Sequence, residues 1–293
     1  MFIKKARIYK NTEATTILPE ALESFRFTEL LASESTKFGF YPAYGENLIH
    51  EAAGHKLIVV REDSKILPTP VIKAEVAKRA EIVSANLGRP ISRKERAGIT
   101  EEVLIDLLPR AFVRQKYIQA IITKSGYIVI NGSASDAEKL LALLRKAIGS
   151  LPVIPLVSAV KERPDWELNE IVKKKRECEN FAVGSQFEFH GSDDVVLKFK
   201  GLGSESDEVQ GATEYGVTTK IELSSRHGIC FTINDECALS GIQWSEELES
   251  RADGEDKAAI FDSQFFISAE TFSSVANDLV ALFGGFGQST ESK

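Results

Sequence analysis

Cysteine is scarce in this chain: three in 293 residues, an odd number that cannot make a disulfide framework. Cys178, Cys230 and Cys237 are also widely spaced, which suits a reducing compartment and excludes the small disulfide-stapled class. No CxxC occurs, so a structural zinc of the usual thiolate kind is excluded. Long apolar runs are missing too. None reaches the roughly 18 residues of a membrane-spanning helix, and the basic start MFIKKARIYK has no apolar stretch behind it to make a signal peptide. No Walker-type GK[ST], dinucleotide GxGxxG or nucleophile elbow appears, and Gly201-Leu202-Gly203 is followed by acidic residues, the wrong sign for cradling phosphate.

What is present is an ordinary globular composition, 43% hydrophobic and 27% charged, enough for one large or two average domains. The 36 Lys+Arg against 43 Asp+Glu give a net charge of -7, which counts against a general nucleic-acid binder. That total hides an asymmetry. Residues 1–160 carry 23 basic and 17 acidic residues, a net +6, whereas residues 161–293 carry 13 and 26, a net -13. This places an N-terminal α+β part over 1–160 and an acidic α+β part over 161–293, with the polar segment Lys161 to Trp166 at the boundary. Charge opposed in this way marks an anion-binding surface or, more blandly, scattered surface lysines.

Hydrophobic periodicity predicts a strand over Phe2–Tyr9, a helix from Leu18 to Leu31, a strand over Lys56–Val60 and a helix from Val71 to Gly88. Ile91 to Gly98 reads as a basic connector, and Thr100 as the N-cap of the next helix, which Pro109 stops. A β-hairpin over Arg114–Ile130, a Ser-capped helix ending at Gly149 and a strand over Leu151–Leu156 follow. Leu168–Arg176 reads as a helix with a cationic end, strands lie near 185–190, 194–200, 217–224 and 228–234, and Phe265–Phe283 is helical before a frayed polar tail. Helices and hairpins mix without strict βαβ alternation, which gives class α+β.

Catalytic and metal motifs are weak. His50-Glu51-Ala52-Ala53-Gly54-His55 separates its histidines by five residues, so their rings would diverge on a helix, and a turn is the better reading. Asp193-Asp194 and the group Asp253, Glu255 and Asp256 read as solvated loops before a cation site, and no cofactor or resident metal is implied.

The suggestive segment is Leu107-Leu108-Pro109-Arg110-Ala111-Phe112-Val113-Arg114-Gln115-Lys116. If extended, Arg110, Arg114 and Lys116 share one side with Phe112 among them. Cations so placed contact phosphates, and an exposed ring wedges against bases. Equally, Phe112 would be a core residue and the cations its rim. Lys198-Phe199-Lys200 repeats the alternation on a strand with Phe199 inward, and Arg93, Lys94 and Arg96 make a third basic cluster.

Three blocks in order, Lys65-Ile66-Leu67-Pro68-Thr69-Pro70-Val71-Ile72-Lys73, Leu107–Phe112 and Leu141–Leu156 (LALLRKAIGSLPVIPL), resemble the bacterial recombination-associated protein RdgC family. Fainter likeness runs through Val217–Lys220 and Trp244–Leu248. The resemblance implies a non-enzymatic, cytoplasmic, nucleoid-associated protein that binds double-stranded DNA with little sequence preference. It implies a curved, elongated α+β subunit closing as a homodimeric ring with a basic hole, and antagonism of RecA-driven strand exchange by competition for DNA. The family's finger-like contact corresponds to Phe112 with Arg110 beside it, and a second contact falls on Lys200, where the next position, polar in the family, is Gly201. Arg93, Lys94 and Arg96 carry over by charge alone. A metal-dependent nuclease and a RecA-binding regulator with little DNA contact are the rival readings.

Overall fold

The computed structural model describes residues 2–13, 15–174, 176, 178–192, 195–252 and 256–287. Along the chain run β1 (Lys5–Asn11), α1 (Pro19–Glu23), β2 (Thr36–Tyr41), β3 (Ile49–Ala52), β4 (His55–Ile66), α2 (Thr69–Leu87) and α3 (Arg93–Leu107). A 3-10 turn, Leu108–Arg110, leads into β5 (Phe112–Ile122), β6 (Tyr127–Asn131), α4 (Ala134–Ile148), β7 (Val153–Pro155) and α5 (Leu156–Ala159). Then come α6 (Pro164–Val172), β8 (Phe181–Gly191), β9 (Val196–Lys200), α7 (Asp207–Tyr215), β10 (Gly216–Ser225), β11 (Ile229–Asn234), β12 (Leu239–Trp244), α8 (Glu246–Arg251) and α9 (Lys257–Leu282). The class is α+β, with antiparallel pairing in the strand registers of the large sheet.

The chain divides into two compact units interleaved in sequence. Unit one holds residues 1–24, 42–59 and 118–293; unit two holds 25–41 and 60–117. In unit one the strand order runs β5-β6-β1-β12-β11-β10-β8-β9, with β7 also on β1 and β3 paired with the start of β4. One face of this sheet is covered by α9, whose Phe265, Phe272, Val275, Ala276 and Leu279 are fully buried with Phe189, Phe231 and Ile233 in a single core. Asp256 caps α9, accepting from the Ala258 N–H at 3.2 Å. The helix thus begins eight residues before the Phe265 that its apolar pattern suggested.

Unit two is built on β2, the Val60–Ile66 stretch of β4 and the Phe112–Tyr117 stretch of β5, with α2 and α3 packed on each other through Val76, Ala80, Ile99 and Val103. Its hub is Arg61. The guanidinium donates two parallel hydrogen bonds to the buried Asp63 carboxylate at 2.8 and 2.7 Å and lies over the rings of Phe27 at 4.5 Å and Tyr41 at 5.4 Å. The hydrogen bonds from Arg61 to Asp63 raise the already high pKa of the guanidinium, so the hub stays charged. Tyr41 in turn meets Tyr117 edge-on at 5.6 Å, which fixes the β5 stretch of this unit from one face.

Several expectations are corrected. The helix foreseen over Leu18–Leu31 stops at Glu23, because Phe25–Phe27 instead runs extended beside Phe40: Phe27 N–H donates to the Phe40 carbonyl at 2.7 Å. Gly39 allows that approach, since a Cβ there would sit 2.7 Å from the Phe27 backbone. The basic connector over Ile91–Gly98 is in fact the first turns of α3. Ser92 is its N-cap and forms a capping box with Glu95, while Thr100 lies inside the helix and donates back to the Arg96 carbonyl at 2.8 Å. The side-chain bonds from Arg89, together with those from Ser92, hold the Glu95 carboxyl at about 2, so the box persists through mildly acid conditions. The strand at Leu151–Leu156 shrinks to β7 and yields to α5 at Leu156. The helix foreseen over Leu168–Arg176 starts at Pro164 and stops at Val172, before Lys174 takes a φ of 56°; Lys175 lies outside the described residues. α7, β12 and α8 had no counterpart in the periodicity.

Candidate nucleic-acid interface

Pro109 ends α3 by removing an N–H from the ladder, and the 3-10 turn closes with Ala111 N–H donating to the Leu108 carbonyl at 3.3 Å. The chain then goes extended, and Phe112 enters β5 with 85% of its surface in water. The reading of Phe112 as a core residue is therefore overturned. Val113, Arg114 and Gln115 are exposed as well, and burial begins only at Ile118, where the strand joins unit one and pairs with β6. Alternation puts Phe112, Arg114 and Lys116 on one side of the strand and the Tyr41-anchored Tyr117 on the other. Arg110 is exposed on the preceding turn. Among the described residues neither Arg110 nor Arg114 has an ion-pair partner; Lys116 is half-buried and engaged.

This geometry joins an exposed ring to one exposed cation on the strand and one on the turn before it, with the strand held from its opposite face. An exposed phenylalanine contributes little to folding, so Phe112→Ala is expected to leave stability unchanged within about 0.5 kcal/mol. Thermal denaturation checks this: a loss above about 2 kcal/mol would mean the side chain is packed.

Arg93, Lys94 and Arg96 are exposed on the first turns of α3 in the same unit. Cations there oppose the helix dipole, and the capping box with Glu95 offsets them locally. Together the residues of unit two carry 14 Lys+Arg and 10 Asp+Glu, a net +4, against 22 and 33, a net -11, for unit one.

Unit one carries its own cationic surface. Lys198 and Lys200 are exposed on β9, and Phe199 between them is half-buried against Phe189, with ring centroids 5.8 Å apart. Lys198 pairs with Glu188 of β8 at 3.1 Å. Lys200 has no ion-pair partner among the described residues. Gly201 follows at φ +81 in open space, a left-handed turn that glycine adopts without strain, which accounts for glycine at that position. Lys220 of β10 meets the same Glu188 at 3.2 Å. The period-2 parity of β10 was legible, but its register beside β8 was not, and so Lys220 escaped the sequence reading.

The histidine motif resolves into a hairpin: His50 lies on β3, His55 on β4, with Ala53 and Gly54 at the turn. His55 is fully buried, its Nδ1 3.3 Å from the Lys124 N–H it accepts and its Nε2 2.9 Å from Glu270. Both ring nitrogens are thereby used, which removes His55 as a metal ligand. Asp193, Asp194, Asp253 and Glu255 lie outside the described residues. Burial pushes the Cys178 thiol up to about 11 and Cys237 to about 12, and raises Cys230, so none of the three is poised as a nucleophile. Among the described residues no helix is long and apolar enough to cross a membrane.

A family model described as "Putative exonuclease, RdgC" matches residues 1–286. Proteins named recombination-associated protein RdgC are similar over nearly the whole chain. That of Aeromonas hydrophila is 31% identical over 307 residues, covering 99% of this chain and 100% of its own length. That of Salmonella paratyphi B is 32% identical over 303 residues, 98% of this chain and 99% of its own, and that of Shewanella piezotolerans is 29% identical over 304 residues, 99% and 100%.

Proposed function

Because the chain belongs to the RdgC family, of recombination-associated proteins, we propose that it binds double-stranded DNA without sequence preference and restrains RecA-driven recombination by occupying that DNA. The observation that carries the reading is Phe112, 85% exposed between Arg110 and Arg114, which have no ion-pair partner among the described residues. A ring placed among phosphate-seeking cations contacts a duplex through its backbone while pressing an apolar edge against the groove. Lys198 and Lys200 supply a second phosphate-facing surface, and Arg93, Lys94 and Arg96 a third. The net -11 of unit one limits docking elsewhere, so placement of charge rather than its total sets what DNA meets.

The reading includes a ring-shaped homodimer, curved from elongated subunits, in the cytoplasm and at the nucleoid. It is supported by large apolar side chains in unit two that face water: Val71, Ile82 and Leu87 on α2 and Ile105 on α3 are 50%, 55%, 47% and 69% exposed. Burial of these four side chains against a second copy would favour self-association.

The test is binding to duplex DNA across a salt series, with size-exclusion light scattering beside it. A dimer whose log affinity falls linearly with log salt supports the proposal. Salt-independent binding, or binding only when RecA is added, overturns it. The nuclease reading, favoured by the family's description, is separated by incubating plasmid with Mg²⁺ or Mn²⁺: a mobility shift without cleavage is expected, and nicking or shortening would replace the proposal.

A further inference from the structure

On the water-facing side of the unit-one sheet, strands β9, β8 and β10 place three charges in a row. Lys198 stands directly opposite Glu188, and Glu188 directly opposite Lys220. The carboxylate lies 3.1 Å from one ammonium and 3.2 Å from the other, and Lys200 projects from the same face two residues along β9. These side chains line a groove of about 420 Å³ floored by Gln186, Thr232 and Ser240. The neighbouring Glu222 is engaged differently: it accepts the Ser185 N–H at 2.8 Å and the Gln186 side-chain amide at 2.6 Å. Among the described residues the Glu188 carboxylate is held by Lys198 and Lys220, and the two lysines share it between them.

Burial alone would raise the Glu188 carboxyl, but the bonds from Lys198 and Lys220 outweigh it and leave the group below its ordinary value, ionised at neutral pH. The pairs are exposed enough, with Lys198 71% and Lys220 35% in water, that giving one up costs about fivefold in equilibrium at most. A DNA phosphate gained at the same ammonium releases a counterion and is worth about tenfold at 0.1 M salt. The exchange favours phosphate.

We propose that Glu188 is a built-in stand-in for a DNA phosphate, so that Lys220 is a phosphate contact and Glu188 the positioning residue that weakens and aims it. The inference rests on the reading that this chain binds duplex DNA, and the experiment keeps the two apart. Affinity for a fluorescent duplex is measured against salt for the full-length wild type, Glu188→Gln, Lys220→Gln, Lys220→Arg and, as a control in unit two, Arg110→Gln/Arg114→Gln. Glu188→Gln is expected to bind up to about fivefold tighter with a log–log salt slope steeper by about one. Lys220→Gln is expected to bind about two- to tenfold weaker at 0.1 M salt with a slope shallower by about one, and Lys220→Arg to restore it. If the wild type binds and the unit-two control weakens while Glu188→Gln and Lys220→Gln keep the wild-type slope, the inference falls and the DNA reading stands. If the wild type itself shows no salt-dependent binding, both fall.

Discussion

Replacing Arg110 and Arg114 together by glutamine is expected to weaken binding to duplex DNA about a hundredfold at 0.1 M salt and to make the log–log salt slope shallower by about two. The magnitude follows from counterion release. Each phosphate neutralised by a side chain contributes a slope of about 0.9, hence close to tenfold at 0.1 M salt. Arg110 and Arg114 are the cations of the Phe112 segment that stand in water with no ion-pair partner among the described residues, so their replacement breaks no ion pair among those residues. The reduction is expected to be the same for unrelated sequences, because phosphates carry no base identity. Phe112→Ala separates the two roles of the segment. Its slope is expected to match the wild type, since no charge is removed, while the proposed inhibition of RecA-driven strand exchange is expected to weaken more than binding does. An unchanged slope in the double glutamine variant would show that DNA is held elsewhere.

The second large effect is on folding. Phe272→Ala is expected to destabilise unit one by about 3–5 kcal/mol, the range for removing a fully buried ring and leaving its space partly empty. Phe272 is on α9 with 0% of its surface exposed, and its ring meets Trp244 edge-on with centroids 5.6 Å apart. Trp244 is itself anchored, its indole N–H donating to the Ile3 carbonyl at 3.1 Å. The substitution thus loosens the helix from β12 and from the start of the chain at once. Trp244 makes the measurement local: in a Trp166→Phe background its fluorescence followed in urea is expected to shift to a clearly lower midpoint. A change below about 1 kcal/mol would mean that α9 is not what holds the sheet face.

The contrast between Phe272 and Phe112 shows where the sequence is legible. Both are phenylalanines flanked by mixed residues. Phe272 belongs to a long apolar stretch at helical spacing, and that period marks the stretch as a helix with apolar side chains to bury. Phe112 sits in a short segment where an inward and an outward ring look the same, because strand alternation says which residues share a face but not which face is covered. Arg93, Lys94 and Arg96 illustrate a missed local signal: Ser92-x-x-Glu95 is a capping box readable in the sequence, yet the basic character of the segment suggested a connector. α7 was hidden for the same reason, in an acidic Gly/Ser stretch where Ser206 caps the helix.

By itself the sequence determined the α+β class, the hairpin of β5 and β6, the long C-terminal helix, the opposed charges of its two parts and the family, through ordered blocks at Lys65–Lys73, Leu107–Phe112 and Leu141–Leu156. These are properties of local period, composition and order, which neighbours in the chain impose. Tertiary structure alone decided that Phe112 stands in water, that residues 25–41 and 60–117 form a unit of their own, and that Lys198 and Lys220 share Glu188. Each of those depends on which strands pair and in what register, a relation between segments distant in the chain that hydrogen bonding and burial settle only when the whole sheet is assembled.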